Sequence, residues 1–372
     1  QHLRAGVAQR ARHRRADAAA GPRQQHPSRC RPHAATFSGD GIITTAIGSN
    51  DDYGKSVTIQ SDGKIIVAVT TLNGGDFALV RYNADGSQDT TFSDDGIVTT
   101  PIGLQADQGY SVVIQSDGKI LVAGYTFNGS NYDFALVRYN SDGSLDATFN
   151  GDGIVTTAIG SENEYSYSVI VQPDGKILVA GFTFNGSNND FALIRYTTDG
   201  SLDASFSDDG IVTTDIGGST EGSSFAQGYS VSIQSDGKIV LTGQTSFTGD
   251  SDFALARYNS DGNLDTSFGE NGIVATTVGP LFDAGRGVTI QPNGKILVVG
   301  TVVNGSNNDL ALVRYNVDGK PDTTFDSDGV AITALGLSDD VGYSISVQVD
   351  GKILVAGSSN NGSYGDFALV RY

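Results

Sequence analysis

The chain has 372 residues, 42 acidic against 23 basic, for a net charge of −19. A surface this acidic repels nucleic acid and anionic membrane headgroups, which excludes both as partners. A lone cysteine, Cys30, permits no intrachain disulfide framework, and no apolar run approaches the roughly 20 residues of a membrane span.

Residues 1–35 come first and are compositionally foreign to the rest. They hold eight of the basic residues, all four histidines (His2, His13, His26, His33), Cys30 and one acid, Asp17. The remainder is left with 15 basic and 41 acidic residues, a charge of −26. The segment lacks the apolar core of a secretory signal and superficially fits a transit peptide. With no initiating methionine, it reads as a cloning or gene-fragment remnant, a basic tail outside the folded domain of residues 36–372.

From Thr36 onward one sentence is written six times. Its arginine recurs at Arg81, Arg138, Arg195, Arg257, Arg314 and Arg371, at intervals of 57, 57, 62, 57 and 57 residues. A fixed period of this size marks a repeat architecture in which neighbouring units bury one another's faces. In the second copy four β-like runs follow in order: Gly96–Ile102, Tyr110–Gln115, Lys119–Thr126 and Asp133–Tyr139. Branched and aromatic residues dominate them, and no helical period appears. Asp117-Gly118 joins the second run to the third, and Asp142-Gly143 follows the fourth; both are tight-turn dipeptides that tolerate positive φ.

Four consecutive antiparallel strands per repeat make one propeller blade. Runs such as Ile120-Leu-Val-Ala are apolar on both faces, as a blade packed between two others requires. A parallel β-helix is the rival architecture, but its shorter coils need no pair of tight hairpins in each repeat. The expected fold is therefore all-β, a six-bladed β-propeller of four-stranded antiparallel blades. The sequence opens on one outer-strand segment (41–45) and stops after a third strand (366–372). The N-terminal strand is thus expected to close the ring by completing the last blade, leaving no stray edge.

The segments Phe-Ala-Leu-Val-Arg-Tyr-Asn-Ser-Asp-Gly-Ser-Leu-Asp-Ala-Thr-Phe-Asn-Gly-Asp-Gly-Ile-Val (134–155) and Ile-Gln-x-Asp-Gly-Lys-Ile-Leu-Val-Ala-Gly resemble the bacterial delta-60 repeat. The resemblance spans 36–372. It implies an extracellular or cell-surface bacterial protein and no particular activity.

Residues 36–372 contain no His, Cys, Met or Trp. A Ser-His-Asp triad, a Cys-His nucleophile and a His-ligated zinc cannot be assembled there. Features present in every copy are read as structural. The six arginines are expected to pair with repeat carboxylates such as Asp146 or Asp133. Asn140, Asp142, Ser144 and Asp146 read as turn caps, with a short calcium loop as the alternative. Asn-Gly-Ser at 128–130, 185–187 and 304–306 matches a glycosylation sequon and also a loop turn.

Function is expected where the symmetry breaks, near the channel. Eight residues before the glutamine that ends each second run stand Asp52, Asp107, Glu164, Ala226, Asp283 and Asp340. The five acids form a candidate carboxylate collar for Ca²⁺, with a solvated acidic rim as the other reading; no organic cofactor is expected. The alanine belongs to the copy lengthened by five residues. Five residues before the glutamine the series reads Lys55, Tyr110, Tyr167, Tyr229, Arg286 and Tyr343, the candidate ligand-binding set. These features point to a monomeric secreted or surface binding or adhesion module, with a carbohydrate or small molecule as its ligand. The alternative is a calcium-dependent hydrolase of lactones or esters, by architectural likeness to gluconolactonase-type propellers. A structural spacer is the third reading.

Overall fold

The computed structural model describes residues 37–38, 41–48, 51–71, 75–103, 105, 107–217, 226–246, 250–305, 307–336, 338–360, 362 and 365–372. The basic tail and the insertion around Glu221 lie outside them. The described strands form six antiparallel sheets, each ordered as its strands occur in the chain. Blade one comprises β1 (Asp52–Ile59), β2 (Ile65–Thr71), β3 (Phe77–Tyr82) and β4 (Ile97–Thr100). Blade two holds β5 (Gln108–Ile114), β6 (Ile120–Phe127), β7 (Tyr132–Tyr139) and β8 (Ile154–Thr157). Blade three holds β9 (Glu164–Val171), β10 (Ile177–Phe184), β11 (Asn189–Tyr196) and β12 (Ile211–Thr214). Blade four holds β13 (Ala226–Ile233), β14 (Ile239–Thr245), β15 (Asp252–Tyr258) and β16 (Ile273–Thr276). Blade five holds β17 (Asp283–Ile290), β18 (Ile296–Val303), β19 (Asn308–Tyr315) and β20 (Val330–Thr333). Blade six has three strands, β21 (Asp340–Val347), β22 (Ile353–Asn360) and β23 (Gly365–Arg371). The first strand of each blade neighbours the first strand of the next, so these six strands stand around the axis of a ring.

Alternation along the strands places the core between blades. In β6, Ile120 and Val122 face blade one, while Leu121 and Ala123 face blade three, and all four are buried. This is the period-2 consequence of a strand that is apolar throughout. Equivalent cores fill the seams from blade one through blade six. The Asp-Gly turns behave as expected. Gly118 takes φ +85°, and the Lys119 amide donates to Asp117 Oδ1 at 3.1 Å.

Arg81, Arg138, Arg195 and Arg257 each clamp one blade to the next. Arg138 Nε donates to Asp146 Oδ2 at 2.7 Å, and Lys119 Nζ lies 2.9 Å from the same oxygen. The guanidinium stacks 4.3 Å from the Phe149 ring centroid and donates to the Thr198 carbonyl of blade three. The same set recurs around Arg81, Arg195 and Arg257, and Arg314 keeps its Asp322, Lys295 and Phe325 partners. Asp146 is thus an arginine partner and Asp133 is not: Asp133 accepts from Asn128 Nδ2 instead. The Asn-Asp-Ser run is a turn cap, since Asp142 Oδ1 accepts both the amide and the hydroxyl of Ser144. Asn128 and Asn185 likewise close their loops through Asx turns onto Ser130 and Ser187.

The expected closing strand behaves differently. Residues 41–47 carry no strand assignment, and no ladder joins them to β23 among the described pairings. They sit on blade one, where they reproduce the contacts of a preceding outer strand. The Tyr82 hydroxyl donates to Thr45 Oγ1 at 2.7 Å, as Tyr139 does to Thr100. Ile47 packs with Val69, Ala78 and Val80. The sixth blade therefore keeps three strands. Phe367 is 77% and Leu369 61% exposed, while their counterparts Phe134 and Leu136 are buried. On blade one, Val57 and Ile59 are 63% and 69% exposed.

Candidate functional site

One β-bulge interrupts the first strand of every blade. Pairing passes from Gly54 directly to Ser56, from Gly109 to Ser111, and from Ser166 to Ser168. The same skip occurs at Gly228/Ser230, Gly285/Gly287 and Gly342/Ser344. The residues left over are Lys55, Tyr110, Tyr167, Tyr229, Arg286 and Tyr343, the whole candidate ligand-binding set. A bulge bends its strand and re-aims the extra side chain. In blades two to six the partner strand makes room with glycine, where blade one has Val69: a Cβ on Gly124 would fall 1.8 Å from the Gln108 carbonyl oxygen. That close approach accounts for the glycine ending Leu-Val-Ala-Gly in β6.

The six bulge residues form one run of contacts from blade to blade. Lys55 Nζ sits 4.9 Å from the Tyr110 ring centroid, and Tyr110 meets Tyr167 edge-on at 4.8 Å. Tyr167 and Tyr229 lie 5.6 Å apart. The Arg286 guanidinium lies 5.5 Å from Tyr229 and 5.7 Å from Tyr343. A second aromatic tier, unforeseen from the sequence, joins this run on blades two and three. Tyr125 stacks on Tyr110 at 5.5 Å and meets Tyr165 and Tyr132 edge-on. Phe127 extends the tier through Tyr132, and Phe182 contacts both Tyr165 and Tyr167. The hydroxyls of Tyr110 and Tyr125 both donate to Gln108 Oε1, at 3.0 and 2.9 Å. Burial, reinforced by neighbouring tyrosines, pushes the Tyr125 and Tyr167 phenols far above their ordinary range, so both stay protonated.

The two cations of the run stand apart from the others. Lys64, Lys119, Arg81, Arg138 and their equivalents through blade five pair with carboxylates. Lys55 and Arg286 make no such pair among the described residues; their neighbours are tyrosine rings. Burial lowers the Lys55 ammonium from its ordinary value. Arg286 Nε is buried without a hydrogen-bond partner.

The five collar acids are placed differently from the bulge residues. Asp107 accepts the amides of Ile102 and Gly103, and Glu164 those of Ile159 and Gly160. Asp283 and Asp340 cap their own loops in the same way, and Asp52 accepts the Ile47 amide. Asp107, Glu164, Asp283 and Asp340 are fully buried. Each faces an acid of the preceding blade's third strand or its approach, giving Asp76–Asp107, Asp133–Glu164, Asp252–Asp283 and Asp309–Asp340 across successive seams. Where Ala226 removes the acid, Asp215 faces Asp190. Burial first, and the neighbouring carboxylate second, raise Asp76 and Asp309; burial is also the chief cause for Glu164, Asp190 and Asp283. Among the described residues no three acidic, His or Cys side chains converge as metal ligands.

A ring of six antiparallel blades with a bulge-presented channel lining defines an all-β propeller. The chain belongs to the family described as domain of unknown function (DUF5122) beta-propeller, which matches residues 60–92, 115–149, 172–206, 234–268, 291–325 and 348–372. No curated protein matches the chain in sequence. Among solved structures, it is similar to a PL25 ulvan lyase bound to -[GlcA(1-4)Rha3S]-, with 11% identity, 84% of this chain and 78% of that one covered, and a TM-score of 0.54. It is also similar to virginiamycin B lyase from Staphylococcus aureus with quinupristin, with 13% identity, 88% and 86% covered, and a TM-score of 0.50. A gluconolactonase from Xanthomonas campestris shares 12% identity over 82% of each chain, with a TM-score of 0.43. The likeness to the two lyases is one of fold alone.

Proposed function

We propose that this chain is a secreted or cell-surface binding module, of the delta-60 repeat type, whose ligand lies on the bulge ring and takes a saccharide-like form. The observation that carries this reading is the unbroken run Lys55–Tyr110–Tyr167–Tyr229–Arg286, with side chains aimed by bulges. A bulge sacrifices ladder pairing, and six of them present six side chains to one another. Tyrosine supplies rigid, amphipathic surface, apolar on its face and hydrogen-bonding at its tip.

The alternative, calcium-dependent hydrolysis of lactones or esters, needs six to eight oxygen ligands around the ion. The five collar carboxylates instead hold backbone amides of their own loops, which favours the binding reading. Calorimetry against a panel of neutral and acidic oligosaccharides tests it, with calcium and with chelator, beside a lactone turnover assay. Tyr110→Ala and Tyr167→Ala should each weaken binding about three- to tenfold, the loss expected for one aromatic contact. Turnover abolished by chelator would establish the hydrolase; no saccharide heat would remove the binding reading.

A further inference from the structure

We infer that the ligand of the bulge ring is an anionic saccharide, carrying carboxylate or sulfate groups, held by Lys55 at one end of the tyrosine arc and by Arg286 at the other. This rests on the binding reading above and adds the ligand's charge. The body of the protein is strongly acidic, 15 basic residues against 41 acids beyond residue 35. On such a surface a cation ordinarily takes a carboxylate partner, as Lys119 and Arg138 do with Asp146. Lys55 and Arg286 have aromatic neighbours instead, and they occupy the same bulge position as the tyrosines. A ring face attracts a cation but accepts no directed hydrogen bond in its plane, so the donors remain available. Arg286 Nε is buried with no acceptor, the arrangement an incoming anionic oxygen would satisfy.

The rings also select against a flat aromatic ligand. Tyr110 and Tyr167 meet at 89°, and Tyr167 and Tyr229 at 55°, which leaves a stepped wall instead of a parallel slot. Tyr110 is already stacked against Tyr125. A stepped wall suits the puckered C–H faces of successive sugar units, with their anionic substituents reaching the cations.

The test compares a neutral oligosaccharide, a hexuronate oligomer of equal length, a sulfated one and a nucleotide, by calorimetry on the intact chain. Acidic saccharides should bind at least about tenfold tighter than neutral ones, the scale of one charge-assisted contact, and lose that advantage at about 1 M salt. Lys55→Gln and Arg286→Gln should erase the acidic preference, bringing acidic and neutral affinities together, whereas Tyr167→Ala should weaken both and keep the preference. Thermal melts of each variant separate lost folding from lost binding, and the salt series on the unaltered chain needs no variant at all. Equal affinity for neutral and acidic sugars, or unchanged preference in the double variant, overturns this inference and leaves the binding module standing. Preference for the nucleotide overturns the saccharide assignment. Absence of any saccharide binding overturns both readings together.

Discussion

Asp146 collects Arg138, Lys119 and both the amide and hydroxyl of Thr148 on two oxygens. Burial acts to raise its carboxyl, but Thr148, Lys119 and Arg138 together outweigh it and hold the group well below the usual range. Asp89, Asp203, Asp265 and Asp322 stand in the same position. Asp146→Asn leaves a buried guanidinium without its counter-charge, so we expect a loss of about 3 kcal/mol at that seam. Chemical denaturation of the variant measures it, and a change under about 0.5 kcal/mol would mark the clamp as incidental. That a repeat carboxylate pairs with Arg138 was legible, but Asp133 and Asp146 both keep a preserved spacing to it, so the choice of Asp146 was not. The fate of Asp107 was not, because a carboxylate before a strand reads alike whether it faces solvent or turns back onto its own loop amides.

Strands and turns were legible from alternation and from the Asp-Gly pairs, whereas the bulges were not. A bulge belongs to two strands at once, and here its halves lie on either side of a hairpin, Tyr110 in β5 and Gly124 in β6. The glycine repeated at the end of Leu-Val-Ala-Gly was the available signal, since a glycine inside a strand marks close backbone approach. At the blade seams two sets of carboxylates oppose each other in their response to pH. The clamp acids, lowered in the fold, stabilise above the unfolded carboxyl pKa of about 4 and lose that contribution as pH falls below it. The seam acids Asp76, Glu164, Asp190, Asp283 and Asp309 are raised in the fold. Their contribution is present below the unfolded pKa and is lost as pH rises through their folded values. Melting temperature should therefore climb as pH is lowered from neutral toward the unfolded carboxyl pKa of about 4, then fall steeply below it. Scanning calorimetry across that range checks both limbs; a flat profile between neutral pH and about 4 would show that the seam pairs carry no linkage.

At the scale of the molecule, the six-fold repetition was legible and the fate of the N-terminal segment was not. Its composition announces an outer strand, and it does occupy an outer strand's place on blade one; the edge it serves is a tertiary matter. The faces bearing Phe367 and Leu369 on blade six and Val57 and Ile59 on blade one are two halves of one repeat interface. Exposed complementary halves associate head to tail. We expect concentration-dependent self-association in light scattering, suppressed by Phe367→Ser with Leu369→Ser at unchanged melting temperature. A melting temperature lowered by several degrees would instead mean that the two faces meet within one chain.

The clamp has a consequence for how such chains change length. Arg138 reaches Thr198 across 60 residues, Arg81 reaches Ser141 across 60, and Arg195 reaches Ser260 across 65, the longer interval belonging to the longer copy. Each of these clamps therefore asks only that a similar neighbour follow. Nothing local counts to six. Unequal crossing-over between the near-identical gene segments would delete or duplicate one whole unit and leave each surviving junction intact. Propellers close with roughly 4 to 8 blades, so moderate gains and losses meet no geometric bar. What such an event would alter is the order of side chains around the axis: Lys55 and Arg286 would be brought nearer or moved apart by one tyrosine, and the spacing between them would become an inherited variable.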